Sequence, residues 1–269
     1  MIEVQEVNFA YRRGNPVIKD VSCTIADGEF VALLGHNGSG KTTLSRLFMA
    51  LDHPRSGKVL VDGADIAALE PADLAVKVGY VFQNPDLQIL EDTVFAEVAY
   101  GLKNKKLDDE AINKRVKEAL TAMGLEDLED AYPRSLSFGQ KRRLGVAVAL
   151  ALHPTTLILD EITNGQDEQE KISMLAYLGK LHEEKHITII LITHDMNIAR
   201  LYTQRALVLH EGNLVFDGAT VELFDGVRDI SSWGLSQPVL AKLAGHMGIE
   251  ALTVEAFCGQ IALKAGGAQ

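Results

Sequence analysis

The sequence predicts a mostly parallel α/β core with a helical insertion in its middle, and three observations carry that prediction. Apolar runs at residues 30–34, 157–159 and 187–192, broken only by Thr188, have the length and composition of strands buried on both faces. Helical periodicities fall between those runs, so strands alternate with helices. The stretch from about residue 86 to residue 152 is helical in pattern throughout.

Taken in order, the first sixty residues alternate apolar and polar in short runs punctuated by Gly, Asn and Asp, which reads as β-rich. A glycine-rich turn at residues 35–40 follows the buried run, and Leu44, Leu47, Phe48 and Leu51 then recur at helical spacing. Ile112, Val116, Leu120 and Met123 form one face of a helix that stops at Gly124, a helix-ending residue. Leu144, Ala147, Val148, Ala151 and Leu152 make a second apolar stripe. The two later buried runs are separated by a helix carrying Ile172, Leu175 and Ala176. After Arg205, Ala-Leu-Val-Leu, His-Glu-Gly-Asn and Leu-Val-Phe spell a hairpin with a glycine turn. From about residue 226 a small helical tail follows, fraying over residues 265–269.

Bulk composition narrows the class of function. With 269 residues, 47% of them hydrophobic, the chain can bury one large domain with a small appendage. A formal net charge of -11 argues against a nucleic-acid binder, which shows a basic face. Two scattered cysteines, Cys23 and Cys258, make neither a disulfide framework nor a metal cluster and suit a reducing compartment. The opening residues lack the apolar core of a signal peptide. Apolar runs are far shorter than the roughly 20 residues of a spanning helix, so membrane work would need a partner to hold the chain there.

The chemistry-bearing motif is Gly35-His36-Asn37-Gly38-Ser39-Gly40-Lys41-Thr42-Thr43, a complete G-x-x-x-x-G-K-[ST] phosphate loop between a buried strand and a helix. Glycines let backbone N–H groups wrap a phosphate, and the following helix turns its positive end toward the anion. Lys41 reaches the β- and γ-phosphates of ATP, and the Thr42 hydroxyl ligates Mg²⁺. His36 occupies a variable position and receives no catalytic role. The strand at residues 157–159 ends in Asp160 and Glu161, whose side chains alternation sends in different directions. Asp160 is assigned to the metal and Glu161 to the general base that polarises the attacking water.

The remaining motifs give a family resemblance. Ser135-Leu136-Ser137-Phe138-Gly139-Gln140 resembles the L-S-G-G-Q signature of ABC ATPases, Gln83 matches their Q-loop, and His194 resembles their switch histidine. Asn164, Gly165, Gln166 and Asp167 stand at the D-loop, and Tyr11 takes the place of the adenine-stacking aromatic. The resemblance implies a P-loop NTPase core with an N-terminal antiparallel β subdomain, over residues 1–225 with a helical subdomain at about 86–152, and a dimerising C-terminal extension over 226–269. It implies a head-to-tail dimer in which two ATPase subunits, identical or related, sandwich two ATP. In that arrangement Ser137, Phe138, Gly139, Gln140 and Asp167 face the nucleotide of the opposite subunit, His194 orients the water, and Gln83 senses Mg²⁺. Three positions depart from the pattern: Phe138 for glycine, Ile162 for proline and Gln166 for leucine. They leave open whether the two ATP sites are equal.

Within the family, Gln83-Asn-Pro-Asp-Leu-Gln88, the Thr-Val and Val-Ala-Tyr-Gly stretch that follows, and the tail from Gly234 resemble energy-coupling-factor importers of vitamins or transition-metal ions. That implies a peripheral position on the cytoplasmic face of the cell membrane, with an integral coupling protein and a substrate-binding membrane subunit as partners. The segment after Gln83 would line a groove for the coupling protein. Phosphate and amino-acid import ATPases share the motifs but usually lack this tail. Soluble ABC ATPases of translation or DNA maintenance carry paired domains or coiled coils, and a non-hydrolysing switch would not need Glu161. His182-Glu-Glu-Lys-His186 satisfies H-E-x-x-H, yet it closes a helix just before a buried strand with no third ligand, which is the wrong context for a zinc protease.

Overall fold

The structure is a computed structural model that describes the whole chain except residues 12–13, 106, 164–167, 250, 252 and 267–269, together with the side chains of residues 168, 254 and 263–266. Elements follow in chain order as β1 (Ile2–Phe9), β2 (Ile18–Ile25), β3 (Phe30–Leu34), α1 (Lys41–Phe48), β4 (Ser56–Val61), β5 (Ala64–Asp65), α2 (Pro71–Leu74) and β6 (Val78–Val81). Next come α3 (Val94–Asn104), α4 (Asp109–Ala122), α5 (Phe138–Ala151), β7 (Thr156–Asp160), α6 (Glu168–Lys185), β8 (Thr188–Ile192) and α7 (Met196–Tyr202). The chain closes with β9 (Arg205–His210), β10 (Asn213–Ala219), α8 (Thr220–Leu223), α9 (Val239–Met247) and α10 (Val254–Gly266).

Two sheets organise the molecule. An antiparallel sheet runs in the order β2-β1-β4-β5, and a six-stranded sheet runs β10-β9-β3-β8-β7-β6. In the second sheet β9, β3, β8, β7 and β6 are parallel, and β10 joins the edge antiparallel. The continuous apolar runs now have their reason. On β7, Leu157 and Leu159 pack toward the helices while Ile158 packs toward the antiparallel sheet, and β8 divides Ile189 and Leu191 from Ile190 and Ile192 in the same way. A sheet covered on both faces favours apolar residues at successive positions, and the polar members of β7 and β8, Thr156, Asp160 and Thr188, stand at strand ends.

The helical subdomain sits over one face. Leu102 of α3, Val116 and Leu120 of α4, and Leu144 and Ala147 of α5 meet in one core with Leu175 and Leu178 of α6. Helix α4 gives way at Met123 to Gly124 with φ 61, the left-handed residue that ends a helix and satisfies its last carbonyls. The β9–β10 hairpin turns at Glu211 and Gly212, with φ 48 and 84, the doubly positive pair that matches strand twist.

Two local expectations are corrected. Helix α1 stops at Phe48 because Ala50 turns left-handed at φ 51, so Leu51 lies outside the helix and is exposed. Helix α6 exists where expected but presents a different face: Ile172 and Ala176 are exposed, whereas Met174, Leu178 and Leu181 join Leu175 in the core. Strand β6 carried no sequence signal, being four residues long with a glycine inside it. The tail forms its own small core of Ala244, Ile249, Ala251 and Phe257, and Arg200 of α7 binds it through the Ala251 carbonyl at 2.8 Å. Among the described residues, no helix is long and apolar enough to cross a membrane.

Candidate active site

The loop at the end of β3 has a shape that depends on its glycine. A Cβ on Gly35 would lie 2.2 Å from the carbonyl oxygen of Leu209 and 2.5 Å from the Ser39 hydroxyl, and its φ of 148 lies where side chains are rarely found. Gly40 is the N-cap of α1, so that helix opens directly onto the loop with its first N–H groups free of side-chain capping. Lys41 is buried, and its ammonium donates to the carbonyls of Gly35 at 2.8 Å and His36 at 3.0 Å. Burial lowers its pKa, while Glu161 and Asp160 oppose that shift, so the cation stands in an acidic pocket.

The adjacent carboxylates diverge. Asp160 Oδ2 accepts from the Thr42 hydroxyl at 3.3 Å and from the Tyr80 hydroxyl at 2.9 Å. Burial raises the Asp160 pKa and the charge of Glu161 adds to the rise; the hydrogen bonds from Tyr80 and Thr42 and the charge of Lys41 oppose it. Glu161 turns the other way. Its Oε2 accepts from the Gln83 side-chain amide at 2.6 Å, and its Oε1 lies 3.4 Å from His194 Nδ1. This turn is made by the backbone, because Glu161 has φ 50, a left-handed conformation worth of order 1–3 kcal/mol in a residue with a side chain. The Glu161 N–H bonds to the Ile192 carbonyl at 2.9 Å and holds it there.

One cavity of about 830 Å³ gathers the phosphate loop with Gln83, Glu161 and His194. Gly35, His36, Asn37, Gly38, Gly40, Lys41, Thr42 and Thr43 line it, while Ser39 is packed behind them with no exposed surface. These residues suit a nucleotide triphosphate with a divalent ion: a side-chain-free cradle, a lysine, and a hydroxyl paired with a carboxylate. Tyr11 stands at the margin, half exposed, its hydroxyl 3.1 Å from that of Thr43 and its ring edge-on to Phe9.

Ser137, Phe138, Gly139 and Gln140 do not reach this cavity. They form the start of α5, where Ser137 is the N-cap and accepts from the Gln140 N–H at 3.2 Å, while Gln140 Oε1 accepts from the Ser137 N–H at 2.9 Å. Phe138 is exposed. Gln166 and Asp167 lie outside the described residues. In the H-E-x-x-H segment, His182 Nδ1 pairs with the Ile187 carbonyl at 2.9 Å, and His186 falls beyond the end of α6.

Sequence reasoning missed three contributors. Tyr80 lies on the unrecognised strand β6. Arg142 is buried, although its place in a Lys-Arg-Arg run reads as a solvated helix face. Gly234, Leu235 and Ser236 of the tail line the cavity beside the phosphate loop, which no spacing rule foretells across some two hundred residues of chain.

Comparison with known proteins identifies the family. The family model described as ABC transporter matches residues 18–164. An energy-coupling factor transporter ATP-binding protein EcfA2 of Clostridium tetani is 40% identical over 90% of this chain and 87% of its own length. The structure of cbiO1 from Clostridium perfringens, described as part of the ABC transporter complex cbiONQ, superposes with a TM-score of 0.78 at 36% identity, covering 90% of this chain and 97% of that one. The dimeric ATP-binding cassette MJ0796, in a post-hydrolysis state bound to ADP and Pi, gives a TM-score of 0.75 at 31% identity over 82% of this chain and 99% of that one. The chain spans 41% and 39% of the length of the Methanosarcina mazei and Methanosarcina acetivorans relatives it matches. The chain belongs to the ABC transporter ATPase family, and it resembles the ATP-binding components of energy-coupling-factor transporters within it.

Proposed function

We propose that this chain is the ATP-hydrolysing subunit of an energy-coupling-factor importer for vitamins or transition-metal ions, working as one of two ATPase subunits that clamp two ATP. The observation that carries the reading is the convergence of Gln83 and His194 on the two oxygens of Glu161, with Asp160 turned away to Thr42. The two carboxylates thereby take separate tasks, Glu161 on the side of the water and Asp160 on the side of the metal. Lys41 and the loop N–H groups bind the β- and γ-phosphates, and Thr42, Asp160 and Gln83 hold Mg²⁺, which when bound neutralises phosphate charge. Glu161 accepts the proton of the attacking water as its oxygen bonds to the γ-phosphorus and ADP leaves, and His194 holds the γ-phosphate and the water in line. Tyr11 offers its ring to adenine.

The placement of the α5 start outside the cavity supports a second subunit, since Ser137 to Gln140 can meet a phosphate only in a facing copy. The dimeric cassette bound to ADP and Pi lends that arrangement a precedent. Around Gln83, Leu87 and Leu90 are 75% and 68% exposed, an apolar surface suited to helices of an integral coupling protein. On α9, Val239, Leu243 and Met247 recur every four residues and are exposed, which supports residues 226–269 as a dimerising extension to the 1–225 ATPase domain. On this reading the chain sits peripherally on the cytoplasmic face of the membrane. Affinity purification from detergent-solubilised membranes tests it: copurification of an integral partner is expected, and recovery only as a free ATPase would overturn the importer assignment.

A further inference from the structure

Arg142 joins parts of the site that the roles above treat separately. It lies four residues after Phe138 on α5, so the two share a helix face. Its side chain is buried. Nη1 donates to the Glu161 carbonyl at 2.6 Å and Nη2 donates to the Gln83 carbonyl at 3.0 Å. The guanidinium carbon sits 4.7 Å from the centroid of the Phe138 ring, within cation–π range.

Each contact has a consequence for the base. Glu161 is left-handed at φ 50, and its backbone is held at both ends, by its N–H on Ile192 and by its carbonyl under Arg142. The Gln83 carbonyl is held by the same guanidinium, while the Gln83 side chain reaches forward to the Glu161 carboxylate. A rigid fork therefore fixes, from behind, both members of the amide–carboxylate pair. The planar guanidinium holds both carbonyls in one fixed fork geometry, which the compact, rotating ammonium of a lysine does not supply. Phe138, the departure from the family glycine, covers the fork and is at the same time the exposed residue at the start of α5.

Resting on the reading of Glu161 as general base, we infer that Arg142 is a positioning residue for hydrolysis, anchored by the Phe138 ring. The face of α5 offered to the second nucleotide and the base of the chain's own site then move as one unit. Phe138 is the anchor in this arrangement, where glycine would leave the guanidinium uncovered.

The test uses the full chain and compares Arg142→Lys, Arg142→Met, Phe138→Leu and Phe138→Trp, with Glu161→Gln as control. Mg-ATP affinity, thermal midpoint and single-turnover hydrolysis are measured for each. Arg142→Lys is expected to keep ATP affinity within about twofold and to lose about tenfold or more in the hydrolysis rate, the size of effect that a misplaced catalytic group produces. Phe138→Leu should lose rate severalfold with affinity kept, and Phe138→Trp, which retains a π-face, should lose less rate than Phe138→Leu. Wild-type rates in Arg142→Lys, losses of rate matched by losses of affinity, or equal rates in Phe138→Leu and Phe138→Trp would overturn the inference. Should Arg142→Met fail to fold, the lysine variant and the Phe138 pair still decide. Parental hydrolysis by Glu161→Gln would instead sink the base assignment on which the inference rests.

Discussion

The side-chain amide of Gln83 donates to Glu161 Oε2 at 2.6 Å, bringing the turn after β6 into contact with the end of β7. The same carboxylate lies 3.4 Å from His194 Nδ1, so three chain segments meet at one group. A contact this short between a loop and a strand end makes loop movement a direct perturbation of the carboxylate.

Replacing Glu161 with glutamine should preserve nucleotide binding and lower turnover by about 10²-fold to 10³-fold, the range of a positioned general base. Phosphate release measured alongside equilibrium ATP binding separates the two effects. Unchanged turnover would remove Glu161 from the chemistry.

Lys41→Ala should weaken ATP binding by about 10-fold to 100-fold, the scale of lost hydrogen bonds from a charged donor. Isothermal titration with ATP reads this directly, and retained affinity would count against the phosphate loop.

Tyr80→Phe probes the metal side at constant shape. Burial raises the Asp160 pKa, and the Tyr80 hydrogen bond opposes that rise. Removing the donor should raise the Asp160 pKa further, so the carboxylate takes up its proton at a higher pH. The acidic limb of Mg²⁺-dependent ATPase activity should therefore move to higher pH, with little change at alkaline pH. A limb that stays put or moves down refutes this coupling.

Gly35→Ala should destabilise the chain by about 3 kcal/mol or more, since the new Cβ would press on a backbone carbonyl that has no room to yield. Thermal or urea denaturation measures it, and a loss below about 1 kcal/mol would mean the loop re-forms around the methyl group.

Leu87→Asp together with Leu90→Asp should abolish copurification with an integral membrane partner while the protein still binds ATP. Continued copurification would place the coupling surface elsewhere.

Much of this arrangement is legible in the sequence. Residues 30–34 announced a doubly covered strand because a parallel sheet tolerates no polar position there, and the glycine loop followed it in an unmistakable order. The face of α6 was not readable, since Ile172 and Met174 are both apolar and only the neighbours choose between them. Arg142 was hidden for a similar reason. A charged run on a helix looks solvated until tertiary packing places it beneath a strand end, and its acceptors are backbone carbonyls that no side-chain pattern reveals. The tail's share in the cavity is likewise a product of folding, as Gly234 reaches His36 only through the docking of the segment after α8.

That last contact has an evolutionary side. A Cβ at Gly234, where φ is 71, would stand 3.0 Å from the Cβ of His36, so a side chain at either position restricts what the other accepts. His36 occupies a loop position whose identity phosphate chemistry leaves free, yet here it is tied to a residue near the far end of the chain. Homologues that keep this tail should show the two positions covarying, and lineages that lost it should let position 36 drift.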